Sequence, residues 1–433
     1  MKTILGDLPE FRKNPIKLSE NATLNGSRIG EIRLFTRFYY ISSDPYILRS
    51  ILLDDASSWR KGPEVGRLSP AMGEGLIPAE GERWRIGRET LAPAFKPDEI
   101  NHGLDVGADR LLRGIAHLAS DHQTVDLHKL CGHATLVMTI QALFGCHFSS
   151  EYIEHVREAV AEGHDVMTQH AAQVVPPIKS KLSSSYRRLM RAVEVLDDIA
   201  EYIYYHMDEC KMKKALMQLE QLLGYKAVRD EIVTLLVAGF ETSANAGAWM
   251  LYHMAEKPEL MQRLRTQHEC VGSKPHEIAK QPLFSGLVKE TLRLYPSAWW
   301  FARTANRDVA FEERTIPKNA SILVVPWALH RNPRLWDAPN TFDPDRWVEK
   351  RIPQDRFSWL PFGAGPRACI GRNQAMIELG ILAWLATSFD MLPLSGDTRN
   401  LKPEGGITLG PPPGSGLYVK MAVHEPQYGR LAA

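Results

Sequence analysis

Apolar and polar residues follow a helical period through most of the chain. ERWRIGRETLA (82–92), LHKLCGHATLVMTIQALFG (127–145), SYRRLMRAVEVLDDIAEYIYYHM (185–207) and DEIVTLLVAGFETSANAGAWMLYHMAEK (230–257) space their apolar residues three and four apart, as one face of a helix requires. The last is apolar on nearly every side in its middle and is closed by Pro258. That pattern predicts a long helix running through the centre of the molecule. Strand signals are confined to the flanks. IGEIRLFTRFYYIS (29–42), rich in aromatic and β-branched residues, reads as two strands. DPYILRSILLDD (44–55) returns to helical spacing, with Pro45 suited to a first turn. SILVVP (321–326) reads as a strand, and the segments around ITLG and GLYVKMAV read as a C-terminal strand pair. Residues 62–80 are loop-like but rich in apolar side chains, and VVPPIK (174–179) breaks a helical pair. The prediction is a mainly α (α+β) protein. Its helical portion is mainly 82–295 and 372–388, its β-rich portion mainly 29–60, 300–326 and 400–423. No linker or repeat divides residues 1–433 into separate domains.

Composition narrows this picture. Of 433 residues 44% are hydrophobic, enough for a large core, and 52 Lys and Arg against 51 Asp and Glu leave a net charge of +1. Nothing in that balance points to nucleic acid or an anionic membrane surface. The longest apolar runs, such as ILVVPWAL (322–329), fall short of the ~18 residues of a membrane span. The segment MKTILGDLPEFRKNPIK has no apolar run for a signal peptide, so a cytoplasmic protein is expected. The five cysteines, Cys131, Cys146, Cys210, Cys270 and Cys369, include no CxxC pair. Zinc ribbons, iron–sulfur runs and a disulfide framework are therefore disfavoured.

One cysteine stands out by its surroundings. In FGAGPRACIG (362–371), Gly363, Gly365 and Gly371 flank Cys369 just before a predicted helix from Arg372. Glycines there let the backbone take positive φ and lie close to a flat object. A thiolate before a helix start is favoured by the dipole and by free N–H groups. Arg367, two residues earlier, can reach an acid on the same bound object. The pattern is neither GxGxxG after a strand nor a P-loop, and no histidine lies nearby to activate a nucleophile.

The pattern Phe362-Gly363-x-Gly365-x-Arg367-x-Cys369-x-Gly371 closely resembles the haem-ligand loop of the cytochrome P450 superfamily. The resemblance implies the P450 fold, with haem b (iron protoporphyrin IX) held through Cys369 as axial thiolate and metal ligand. Such a ligand pushes electron density that favours O–O cleavage. It also implies roles for Phe362, Gly363 and Gly371 against the haem, and makes Arg367 a propionate partner.

Three further motifs follow in the same order as in that family. In AGFETS (238–243), Ala238 and Gly239 are small residues mid-helix, where a flat cofactor can approach. The Thr242 hydroxyl can bond the Ala238 carbonyl four residues back and locally open the helix. Glu241 and Thr242 form an acid–alcohol pair suited to proton delivery, and they resemble the oxygen-activation motif of the family. In KETLRLYP (289–296), Glu290 and Arg293 share a helix face. They resemble the ExxR motif, with Arg346 of FDPDRW as its expected third, structural member. In GERWRIGRETLAPAF (81–95), Trp84 and Arg88 are four apart. With Arg303 they match the positions that meet haem propionates in the family.

By the same resemblance, substrate-contacting positions fall in the 62–80 loop and around Val174, and at Phe240, Trp299, Trp300, Ile407 and Thr408. A mostly apolar small-molecule substrate is expected, and a reaction that inserts one oxygen atom from O2 into a C–H bond. With no flavin or ferredoxin module in these residues, electrons are expected from an external ferredoxin or flavodoxin-type donor, with Arg367 and Arg372 beside the thiolate loop suiting an acidic partner. Oxidative coupling, desaturation, or a non-catalytic haem-binding sensor are the alternatives.

Overall fold

The computed structural model describes residues 6–23, 27–34, 37–115, 123–171, 184–269, 274–312, 314–394, 401–411 and 416–424. Two short helices, Leu8–Lys13 and Pro15–Thr23, precede the predicted strand pair, β1 (Gly30–Leu34) and β2 (Arg37–Ser42), antiparallel to one another. The Asp44 carboxylate then caps a short helix by accepting from the Tyr46 and Ile47 N–H groups, and Pro45 occupies its first position. After β3 (Trp59–Lys61), helices dominate. They are α1 (Gly81–Leu91) and α2 (Pro97–Ile115), then, past β4 (Gln123–Asp126), α3 (Leu127–Phe144), α4 (Ser150–Ala171), α5 (Ser184–His206), α6 (Lys211–Leu223) and α7 (Tyr225–Glu256). α3 shows why its boundaries were readable. Asp126 caps its start, and Gly145 ends it in the left-handed conformation with its N–H on the Gln141 carbonyl.

α7 is the central helix anticipated from its apolar pattern, and nearly all of its residues from Ala227 to Ala255 are buried. α8 (Pro282–Leu294) follows, then β5 (Phe301–Ala305) and β6 (Ser321–Val324), and finally α9 (Arg372–Ala386) with β7 (Phe389–Pro393) and β8 (Tyr418–Val423). The larger sheet runs β1-β2-β6-β5-β3, parallel only between β2 and β6. A smaller antiparallel sheet runs β4-β8-β7.

Two expectations are corrected here. The segments around ITLG and GLYVKMAV do not pair with each other. Leu409–Gly410 pairs with Glu404–Gly405, whereas β8 lies between β4 and β7. The reason is that β8 alternates, with Val419 and Met421 buried between exposed Tyr418 and Lys420, and needs longer partners than a two-residue ladder. β4 sits inside the stretch expected to be helical, and β7 was not anticipated. Both are short, and neither FDMLP nor QTVD carries enough alternation to announce itself.

Candidate active site

The cysteine loop is bent by two glycines in the left-handed region, Gly363 at φ 63° and Gly365 at φ 71°. At Gly365 a Cβ would fall 1.7 Å from the Leu52 carbonyl oxygen, so only glycine fits. The loop closes on itself where the Cys369 N–H donates to the Phe362 carbonyl at 2.9 Å. The Phe362 ring meets Trp359 edge-on, with the Arg372 guanidinium 5.9 Å from its centroid. Its entry is pinned by a residue the sequence did not single out. The Leu360 N–H donates to His330 Nε2 at 2.8 Å, and His330 Nδ1 lies 3.1 Å from the Arg293 carbonyl. An N–H pointing at Nε2 requires a lone pair there, so His330 is neutral and donates from Nδ1. Burial, then the Arg293 charge, holds its pKa well below the usual imidazole range.

Beneath this sits the buried cluster of Glu290, Arg293 and Arg346. Arg293 grips the carboxylate through Nε and Nη2 at 2.9 and 2.8 Å, and Arg346 Nε adds a third donor at 3.1 Å. Trp347 Nε1 and the Asp343 N–H complete the shell, each at 2.9 Å. The remaining guanidinium hydrogens go to backbone carbonyls, among them His330, Thr341 and Asp337. A buried ion cluster with its hydrogen bonds met in this way fixes geometry. Through His330 it fixes where the cysteine loop begins.

Cys369 has open space beside it and is exposed there. Protein nevertheless surrounds that space closely enough for burial to be the largest influence on the thiol, pushing its pKa up. The Gly371 N–H and the charges of Arg88 and Arg372 act the other way but do not prevail. The stabilised thiolate expected from the helix start is thus not what the loop alone produces. A metal cation at the sulfur would favour its thiolate form. Arg88 Nη1 donates to the Ala368 carbonyl at 2.9 Å, beside the cysteine.

A second feature is a cluster of cations. Lys61 and Arg303 stand directly opposite each other on β3 and β5, a cross-strand pairing that is ordinarily unfavourable. Burial first, then Arg367, lowers Lys61 to about 7 and Arg303 to about 10. Arg367 pairs with Glu80 through Nη2 and stacks on Trp84, 4.6 Å from the ring centroid, while its buried Nη1 has no hydrogen-bond partner among the described residues. Lys61 Nζ is taken up by the Leu76, Ile77 and Ala79 carbonyls at 2.9, 2.7 and 2.6 Å, so Arg303 and Arg367 are the members of the cluster that suit an anionic ligand, such as a haem through its propionates. Lys61 and Glu80 carried no sequence signal, since strand register and a distant loop bring them together.

The third feature lies on α7. Between Asp230 and Ala255 every residue is buried except Ala238, Gly239 and Thr242, which share one helix face. That face is partly solvent-accessible in a helix otherwise buried over this stretch. The helix stays unbroken, contrary to the expected local opening. The expected hydrogen bond is present, with the Thr242 hydroxyl donating to the Ala238 carbonyl at 2.6 Å, and Ser297 Oγ donates to the Thr242 carbonyl at 2.7 Å. Gly239 also permits the crossing with α3, because a Cβ there would lie 3.1 Å from Thr139. Phe240 is not a pocket residue. It is 2% exposed, and its ring lies against Gly132 of α3, about two residues round the helix from the open face. Trp299 is likewise turned into the core, 1% exposed, with Nε1 on the Gly406 carbonyl at 3.0 Å. Trp300 meets it edge-on and is only partly buried. Ile407 packs against the core, Thr408 joins a polar cluster described below, and Val174 lies outside the described residues.

Cys369 in its glycine-bent loop, the cation cluster and the partly accessible face of a buried helix together fit a haem-thiolate protein. The family model for cytochrome P450 matches residues 3–417, and the chain belongs to that family. The chain is similar to cyclooctatin synthase of Streptomyces melanosporofaciens, 26% identical over 92% of this chain and 90% of that protein. To cyclooctat-9-en-7-ol 5-monooxygenase of the same organism it is 27% identical, over 95% and 92%. To leukotriene-B4 omega-hydroxylase 3 of Mus musculus it is 29% identical, over 79% and 74%. The protein is a P450 monooxygenase, an oxidoreductase that incorporates oxygen from O2, and it draws electrons from a redox partner. Among the described residues no helix is long and apolar enough to cross a membrane.

Proposed function

We propose that this P450 inserts one oxygen atom from O2 into a C–H bond of a mostly apolar small molecule, using haem b and a ferredoxin or flavodoxin-type donor. The observation that carries the reading is the partly accessible face of α7. Between Asp230 and Ala255, Thr242 of the acid–alcohol pair is one of three residues that are not buried. Cys369 is the proposed iron ligand, with Phe362, Gly363 and Gly371 around it and Ala238 and Gly239 on the opposite wall. Arg303, Arg367, Trp84 and Arg88 would hold the propionate side. When bound, the haem supplies the redox chemistry that activates O2 and oxidises the C–H bond.

The chain's own residues have separate tasks in this reading. Thr242 holds a hydroxyl on that partly accessible face, where it can orient a water. Glu241, one residue away and buried, supplies protons to that side of the site. The Glu290 cluster and His330 keep the cysteine loop in register. On the outer face, Arg372 is exposed and suits an acidic donor protein, whereas Arg367 is turned inward to Glu80 and is not available to one. The relatives named for cyclooctat-9-en-7-ol and leukotriene B4 support an apolar substrate with polar groups. The test is turnover of a library of apolar compounds with a surrogate ferredoxin, its reductase and 18O2. A product carrying one 18O atom supports the reading. Dehydrogenated or coupled products without 18O would replace it with the desaturation or coupling alternative.

A further inference from the structure

Glu241 is buried without a lysine or arginine among its described partners. Asn245 Nδ2 lies 3.3 Å from its Oε1 and His164 Nδ1, on α4, lies 3.9 Å from the same oxygen. His164 Nε2 is 3.1 Å from the Thr408 hydroxyl, which is 3.2 Å from Asn245 Nδ2. His128 Nε2 closes the group at 2.9 Å from Asn245 Oδ1. Three helices and the turn before Leu409–Gly410 thus meet around one acid.

The hydrogens in this cluster can be assigned. An amide nitrogen facing a carboxylate avoids the oxygen–oxygen repulsion of the flipped amide, so Asn245 donates to Glu241 and Thr408. His128 then donates to Asn245 Oδ1. For His164, a bare Nδ1 lone pair would face the carboxylate, which is unfavourable. Its hydrogen therefore sits on Nδ1, and Nε2 accepts from the Thr408 hydroxyl. This tautomer points a proton at Glu241, while the His164 side chain keeps 18% of its surface exposed.

We infer that His164 is the positioning and relay residue that re-protonates Glu241, an inference that rests on the proposed role of Glu241. A proton from solvent binds Nε2, with the Thr408 rotor turning to accept it. The Nδ1–H bond breaks as an O–H bond forms at Glu241 Oε1, after the carboxylate closes the present 3.9 Å gap. Neutral imidazole remains with its hydrogen on Nε2, and exchange at the exposed edge restores the starting tautomer. No electrons move.

The test has two arms on the full-length haem-loaded protein. In the reduced, CO-bound state of 15N-histidine-labelled protein, the His164 ring signals, assigned with His164→Gln, are expected to show the Nδ1–H tautomer, and Thr408→Val to shift it towards Nε2–H. An Nε2–H tautomer in the wild type overturns the inference. In the second arm, NADPH oxidation through a surrogate ferredoxin chain, with no added substrate, is compared in H2O and D2O. Glu241→Gln, His164→Gln and His164→Asn are each expected to slow it roughly tenfold or more and to enlarge the solvent isotope effect, as loss of a positioned proton donor does. The CO spectrum of each variant reports intact folding independently of rate. Slowing in Glu241→Gln but not in the His164 variants would overturn the relay and leave the proposed function standing. No effect in any variant would remove Glu241 itself from proton supply.

Discussion

Glu290 shows how much one side chain can organise. Its carboxylate accepts from Arg293, Arg346, Trp347 and the Asp343 backbone, and both arginines are fully buried. Glu290→Ala would leave two buried guanidinium charges without their anion, a loss of about 3–5 kcal/mol. The expected outcome is a sharp fall in soluble yield and in denaturant midpoint, and a variant as stable as wild type would contradict the cluster's structural role. The three-residue spacing of Glu290 and Arg293 was legible in the sequence, and so was the third member. His330 and Trp347 were not, because what they do is set by chain segments far from them in sequence. The pocket residues mark the other limit. Phe240 and Trp299 are large and apolar in either a core or a pocket, and only helix phase and the Gly406 carbonyl decide that both face inward.

At the scale of elements, the long central helix was readable because it is apolar all round, and α3 because its caps are explicit. The short strands were not, since two- to five-residue ladders depend on partners that the sequence brings from afar. The cysteine loop combines both cases. Its glycines announced a bend, but not that Gly365 rests against the Leu52 carbonyl of a π-helical turn. Gly365→Ala combines positive φ with an impossible contact at 1.7 Å. It should therefore displace the loop and abolish the CO-difference signal per mole of protein, whereas Ala364→Gly, one residue earlier, should not. Equal signals in the two variants would mean the loop's path is not fixed there.

Across the whole molecule, the packing of α9 against α7 and α3 encloses Glu378. Burial raises its carboxyl to about 8, with the Ser243 and Thr139 hydroxyls as its partners among the described residues. The folded state therefore keeps a proton that the unfolded chain releases near pH 4.5. The stability tied to that proton is complete below pH 4.5 and is lost as pH rises towards 8. Thermal melts of the wild type should fall across that window, and Glu378→Gln, which keeps a neutral hydrogen-bonding group, should flatten the fall. Parallel pH curves for the two proteins would contradict this assignment. The facing cations Lys61 and Arg303 are a similar whole-fold property: the Leu76, Ile77 and Ala79 carbonyls hold Lys61, and Arg303 stays beside Arg367, where an anionic ligand would suit both.

All of these scales converge on Cys369, and the most direct measurement is the absorption spectrum of the purified protein reduced with dithionite under carbon monoxide, for wild type and Cys369→Ala. The account predicts a strongly red-shifted Soret band in the wild type that disappears in the variant. The same band in both proteins, or no haem in either, would contradict the thiolate assignment.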